Sequence, residues 1–192
     1  DQSPYKSLPE VIQAAKKSPG SISYGTSGTG GGVHMSMEML QIAGGFKMQH
    51  VPYKGSSPAL ADLMGGHLQF AGSSISSAAT LIQSGKVRAL AVTSPKRNTA
   101  LPNVPTVAEL GYKDFSFVSY YGVLAPAGLP RPVLTRLNTD FNTLLARDDV
   151  RQALGSQGLE ANPMSRDAFS AMIKEDIQKT KATIETAGIK VE

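Results

Sequence analysis

Cysteine is absent from the 192 residues, which removes disulfides, thiolate metal sites and thiol nucleophiles together. Tryptophan is absent too, and Phe and Tyr number only six each, so the stacking platforms that grip single-stranded nucleic acid are poorly supplied. Nineteen Lys and Arg against fifteen Asp and Glu leave a net charge of +4. The basic residues are scattered rather than striped, a charge that suits a small anionic ligand and not a nucleic acid. No apolar run approaches the roughly 20 residues needed to cross a bilayer. The N-terminus lacks the basic-then-apolar pattern of a secretory leader, although removal of a leader would leave the same sequence. With 41% hydrophobic residues, the chain can bury a core as one domain or as two small lobes.

Glycine and hydroxyl residues, by contrast, are concentrated in three loops. Each follows a short apolar run and precedes a helix start: Gly25-Thr26-Ser27-Gly28-Thr29-Gly30-Gly31-Gly32, Lys54-Gly55-Ser56-Ser57-Pro58 and Gly72-Ser73-Ser74-Ile75-Ser76-Ser77. Backbone N–H groups at such helix N-termini are suited to holding an anion.

The surrounding pattern alternates strand and helix. Ser7 and Glu10 form a capping box for a helix to Lys17, with Leu8, Val11, Ile12 and Ala15 as its apolar stripe. A strand is expected over 21–24 and a helix over 33–43, with Met35, Met39 and Ile42 on one face and Met37 in the core. Next come a strand over 47–53 and a helix opened by Ser57 as cap and Pro58 in the first turn, then a strand over 68–71 and a helix over 76–83. The near-continuous apolar run Val87 to Val92 reads as a strand buried on both faces. Thr106 and Glu109 form a second capping box, for a short helix ending at Gly111. Phe115 to Leu124 is the longest strand-like run, in which alternation predicts that one of Tyr120 and Tyr121 faces the core and the other a cleft. Pro126, Gly128, Pro130 and Pro132 mark a connector. The rest is helical, with one stripe of Val133, Leu134, Leu137, Phe141, Leu144 and Leu145 and another of Phe169, Met172, Ile173, Ile177 and Ile184. These helices have no sheet of their own to cover. The whole predicts an α/β fold with a mostly parallel sheet.

Catalytic fingerprints fail against the loops. A P-loop requires Gly-Lys-Ser/Thr where the chain has Gly31-Gly32-Val33, and the dinucleotide pattern begun by Gly28 and Gly30 meets Val33 instead of a third glycine. The nucleophile elbow GxSxG breaks at Thr29. His34, His50 and His67 lie on different elements, and the His34/Glu38 pair lacks the second histidine of a metalloprotease helix. His34 reads as a helix-start histidine bonding loop backbone, and His50 and His67 as strand-end or turn residues. Lys54 is equally a point charge for a carboxylate or a solvated lysine. Thr26, Ser27, Ser57, Ser73 and Ser74 are helix caps, ligand contacts, or both. No cofactor and no metal is expected.

The run His50-Val51-Pro52-Tyr53-Lys54-Gly55, continued by Pro58-Ala59, Asp62-Leu63 and Gly65-Gly66, resembles the tripartite tricarboxylate transporter substrate-binding proteins, the Bug family. Gly28, Gly30 and His34 agree with it, as do the stretch Gly85 to Ser94, the stretch Leu101 to Thr106 with Glu109 and Gly111, and Gly122 with Ala125-Pro126-Ala127-Gly128. The likeness runs from Ser7 to Ile189. It implies a periplasmic-binding-protein-like (type II) architecture of two α/β lobes. The protein would be a periplasmic, monomeric, non-enzymatic receptor that closes on a small organic acid and delivers it to membrane permease subunits. Carried over by position, the ligand contacts are Ser27, Gly28, Gly30, Gly31 and His34, then Tyr53, Lys54 and Gly55, then Ser73 and Ser74.

Departures from the family pattern narrow the reading. Gly31 stands where relatives have Ser or Thr, Tyr120 where many have Trp, and Leu129 where Thr is usual. Ser73 and Ser74 replace a common Asp or Asn, which removes a partner for a ligand amine and favours a plain carboxylic acid. Family members are also substantially longer. Residues 1–120 therefore correspond to a nearly complete second lobe, and 121–192 to a connector and helices of a truncated first lobe. Two alternatives stay open here: a periplasmic sensor subunit for a carboxylate, and a small α/β enzyme acting on a phosphorylated or acyl substrate.

Overall fold

The computed structural model describes residues 3–189; the outermost residues of the two expected segments, 1–2 and 190–192, lie outside them. The chain opens with helix α1 (Leu8–Lys17). Ser7 Oγ accepts the Glu10 N–H at 3.4 Å, while the Glu10 carboxylate takes the N–H of Lys6 at 2.8 Å, one residue earlier than an ideal box. That backbone bond, with the Ser7 hydroxyl, holds the Glu10 carboxyl below the usual carboxylate range. Leu8, Val11, Ile12 and Ala15 are all buried, as their spacing predicts.

Three strands follow, each leading into a helix: β1 (Ser23–Thr26) into α2 (Gly32–Gly44), β2 (Gln49–Pro52) into α3 (Ser56–Met64), and β3 (Phe70–Ala71) into α4 (Ile75–Gln83). The sheet is parallel, in the order β2-β1-β3, with Tyr24 opposite both His50 and Phe70. Side-chain alternation along β1 separates the two layers. Tyr24 is fully buried on the α2 side, where its hydroxyl donates to Glu38. Gly25 faces the other way, and a Cβ there would lie 3.3 Å from Ala59 of α3 and only 2.6 Å from Leu68. The main core joins α1, β1 and α2 to Phe46, Met48, Val107 and Phe115. On α2 it is Met35, Met37 and Leu40 that are buried; Met39 is half-buried and Ile42 exposed, so the expected face is turned by about two residues.

Three further expectations are corrected. Residues 87–91 form no strand: only Val92 pairs, in a single parallel bridge to Thr106, and the residues before it are half-buried or exposed. An apolar run signals burial, but a strand also needs a ladder partner. The second capping box does form, with Thr106 N–H donating to Glu109 at 2.7 Å and Glu109 N–H to Thr106 Oγ1 at 3.0 Å, yet it closes only turns of the i to i+3 type at Leu110 and Gly111. Residues 115–124 form no strand, although the Phe117 N–H donates to Thr93 O at 2.8 Å, and Tyr120 and Tyr121 are both exposed; Tyr120 stands edge-on to Phe169 at 5.9 Å.

The last part is helical: α5 (Arg131–Ala146), α6 (Asp148–Gly155) and α7 (Arg166–Ala187). Helix α7 packs on α2, and Phe169 lies so close to Gly122 that a Cβ there would meet its ring at 2.2 Å. Asn98 ties the 94–105 loop to the α6–α7 connection by donating to Gly158 O at 3.4 Å and Glu160 at 3.3 Å. The stripe on α5 is only partly covered among the described residues: Val133, Leu137, Phe141 and Leu144 are each 41–46% exposed, and Leu134 and Leu145 are half-buried.

Candidate ligand-binding edge

In a parallel sheet all strands end at the same edge, so the loops after β1, β2 and β3 share one side of the molecule. The order β2-β1-β3 sends successive connections to opposite sides of β1, which opens a crevice between β1 and β3 at the carboxyl edge, where open α/β sheets receive ligands.

The three loops meet there through specific contacts. Gly55 N–H donates to Ser27 O at 3.3 Å, joining the second loop to the first. Gly72 N–H donates to Gly25 O at 2.9 Å, and a Cβ on Gly72 would lie 2.8 Å from Val33 and 3.0 Å from Met37, so the third loop rests on the first turn of α2. Ser119, a residue absent from the expected contacts, also approaches this turn, with its hydroxyl 3.2 Å from where a Gly32 Cβ would stand. No local pattern marked it, because it arrives from a distant part of the chain.

Neither α2 nor α3 receives a side-chain cap: their cap positions are Gly31 and Gly55. Ser57 therefore lies inside α3 rather than capping it, because Gly55 at φ 109° makes the turn that a β-carbon would oppose. The first-turn N–H groups of both helices point toward the shared edge, with the positive ends of the helix dipoles behind them. Helix α4 differs, since Ser74 Oγ accepts the Ser77 N–H at 3.3 Å. The Ser73 hydroxyl donates to the carbonyl of Ser74 at 3.2 Å.

The remaining expected contacts divide by exposure. Ser27, Gly30, Gly31 and Lys54 are exposed, while Gly28, Tyr53, Gly55, Ser73 and Ser74 are half-buried. The Tyr53 hydroxyl donates to Asp62 at 2.6 Å, and that bond raises its pKa. His34 stands behind the first loop rather than in front of it: it is 3% exposed, and its Nδ1 accepts the Gly30 N–H at 3.1 Å. His50, assigned to a strand end, stacks on His34 with ring centroids 3.8 Å apart. Its Nε2 lies 2.7 Å from the hydroxyl of the fully buried Thr26. Parity along β2 carried the missing signal, since His50 shares a face with the buried Met48. His67 is exposed and apart from both.

Burial displaces the pKa values of this cluster. Burial pushes His50 down to about 4, helped by its neighbour His34. It also lowers His34, against the opposing pull of Glu38, whose carboxylate is 3.6 Å from Nε2. Tyr24 is raised by burial and by its bond to Glu38.

A parallel α/β lobe presenting uncapped helix N-termini at the carboxyl edge of its sheet has the arrangement in which such folds hold small anions. Residues 1–189 match the family described as tripartite tricarboxylate transporter family receptor, TctC, and the chain belongs to that family. It is a family of receptors, not of enzymes. Among curated relatives, protein BugT of Bordetella pertussis is 32% identical over 185 residues, covering 96% of this chain and 57% of BugT. Among solved structures, Rpa4515 of R. palustris with adipate is 32% identical with a TM-score of 0.87, covering 98% of this chain and 63% of that one. MatC (Rpa3494) from Rhodopseudomonas palustris with bound malate is 26% identical with a TM-score of 0.78, covering 95% and 63%. The periplasmic-binding-protein-like α/β architecture is thereby established, and the chain spans little more than half the length of the curated relatives it matches.

Proposed function

We propose that this chain forms one ligand-receiving wall of a periplasmic receptor for a small organic carboxylate, which hands its ligand to the permease subunits of a tripartite tricarboxylate-type transporter. The observation that carries the proposal is the junction of the three loops at one crevice, in a member of a receptor family. Carboxylate oxygens are received by the N–H groups of Gly31 and the first turn of α2 and by the hydroxyls of Ser27, Ser73 and Ser74; Gly28, Gly30 and Gly55, whose N–H groups are donated within the site to Thr26, His34 and Ser27, shape the cradle, with Tyr53 and Lys54 at the rim. His34 belongs to this set through its hold on Gly30. Two solved relatives are described with adipate and with malate, which supports a plain dicarboxylic acid.

Residues 1–120 act as this lobe, and 121–192 as the connector and helices of the opposing one. The exposed part of the α5 stripe supports that division: it is the surface that further chain, of the kind the longer relatives possess, would cover. One wall supplies few charge-assisted bonds, so the chain alone binds in the millimolar range, about −4 kcal/mol.

Titration of isotope-labelled protein with malate and with adipate tests this. The amide signals of Gly28, Gly30, Gly55, Ser73 and Ser74 are expected to move together. Movement confined to other surfaces, or no movement with either acid at saturating millimolar concentrations, refutes the assignment.

A further inference from the structure

We infer that the stacked His34–His50 pair is a positioning device for the first ligand loop, holding Gly28 and Gly30 in place, with the hold on Gly30 lasting only while His34 is neutral. The inference concerns the loop's geometry, and it rests on the receptor reading only for the loop's purpose.

Hydrogen-bond directions define the protonation of each ring. A backbone N–H can only donate, so the bond from Gly30 to His34 Nδ1 at 3.1 Å requires that nitrogen to be bare. The proton of neutral His34 is then on Nε2, facing Glu38 at 3.6 Å. Thr26 has a single hydroxyl proton, which goes to Gly28 O at 3.0 Å; its oxygen must therefore accept from His50 Nε2 at 2.7 Å. Two histidines on different elements thus hold two glycines of one loop, His34 directly and His50 through Thr26.

A further proton on His34 has one place to go, Nδ1, and there it displaces the Gly30 N–H. The other groups acting on the pair set its threshold. Glu38, from α2 itself, favours the charged ring, but its carboxylate already accepts from Tyr24 of β1 and from Gln41 Nε2 at 2.9 Å. His50 of β2, stacked at 3.8 Å, opposes a second positive charge, so the pair takes up its protons in two separated steps. Burial adds to that resistance and keeps both rings neutral at pH 7. Acidification then unlatches Gly30 from His34, while the Thr26 bond to Gly28 persists.

The test needs no ligand, so failure of either acid to bind leaves it intact. In labelled chain, the ring nitrogens of His34 and His50 and the exchange protection of the Gly30 amide are followed from pH 8 downward. At pH 8 His34 is expected as the Nε2–H tautomer. Corrected protection at Gly30 is expected to fall about tenfold as His34 takes up its proton, the scale of one neutral hydrogen bond. His34→Asn places an amide oxygen near the Nδ1 position but cannot titrate; it should keep protection at pH 8 and lose the step. His50→Gln removes the ring that takes the second proton and should leave the His34 step, and the fall in Gly30 protection with it, in place. A Gly30 amide indifferent to His34 protonation, a step that survives in His34→Asn, or an Nδ1–H tautomer at pH 8 overturns the inference. If His34→Asn does not fold, the wild-type titration and His50→Gln decide the matter.

Discussion

Gly72 is the point at which the third loop touches the first, and its hydrogen atom is what permits the contact. Its φ lies outside the left-handed region that favours glycine, so Gly72→Ala changes space and not backbone strain. The new Cβ would stand 2.8 Å from Val33 Cγ1, 3.0 Å from Met37 Cγ and 3.4 Å from its sulfur. Methionine yields by rotation, whereas valine, branched at Cβ, does not. Overpacking of this kind costs about 1–3 kcal/mol; with one stiff and one soft neighbour, about 2 kcal/mol is expected. At about 2–4 °C per kcal/mol for a chain of this size, the melting temperature should fall by about 4–8 °C. Urea unfolding should show a lower midpoint at unchanged slope. Val33→Ala removes the atom that is struck, so in its background Gly72→Ala should cost at least ~1 kcal/mol less than in wild type, a coupling expected only of residues in contact. Costs that add within about 0.5 kcal/mol would refute the argument that Gly72 is required by its approach to α2.

Two further outcomes are expected. Asn98→Ala strands the Gly158 carbonyl and the Ala100 N–H, which donates to Asn98 Oδ1 at 2.9 Å, and should lower stability by about 1–3 kcal/mol in urea titration; an unchanged midpoint would show that this loop is held by other contacts. Stability should also fall as pH drops from about 6.5 toward 4. His50 binds its proton near 4 in the folded chain but near 6.5 when unfolded, so the unfolded state takes up more protons across that window and folding weakens. Its full displacement corresponds to ~3 kcal/mol, reduced to about 1–2 kcal/mol because the ring is half exposed and screened by solvent. His34 adds to it with the same sign. His50→Gln should flatten the slope between pH 6.5 and 5, above the range in which the carboxylates of Glu10, Glu109 and Glu175, all held low by hydrogen bonds, begin to protonate. A slope left undiminished by the substitution assigns it elsewhere.

What could be read from the chain was whatever local periodicity and turn chemistry determine. The spacing of Leu8, Val11, Ile12 and Ala15 and the cap at Ser7 predict α1 almost to the residue, and the glycine run before Val33 predicts where α2 begins. The failures share a cause. Val87 to Val92 and Phe115 to Leu124 have the composition of strands, but pairing depends on a neighbour that no local window contains. Tertiary position likewise decided which of two glycyl-seryl segments was capped: Gly55, not Ser57, makes the turn into α3. At the site, the loops were legible and their joining was not. The parallel register that sets Tyr24 beside His50, and the crossing of α2 over β1, bring His34, His50 and Thr26 together across three elements. Ser119 reaches the α2 terminus from still further along the chain.

The ladder that carries these loops is uneven. Beta-1 is paired to β2 over four residues, Ser23 to Thr26, but to β3 over only two, Tyr24 with Phe70 and Gly25 with Ala71. A load applied at the loop ends is therefore shared between a long seam and a short one. The β1–β3 seam, which forms the floor of the crevice, is the side whose backbone ladder is shorter and is supplemented by Ser23, whose N–H and hydroxyl both donate to Gln69 Oε1. The spacing between the first and third loops is fixed jointly by the Gly72 N–H bond to Gly25 O at 2.9 Å and by how Gly72 seats on Val33, so a side chain of α2 shares in setting the width of the opening.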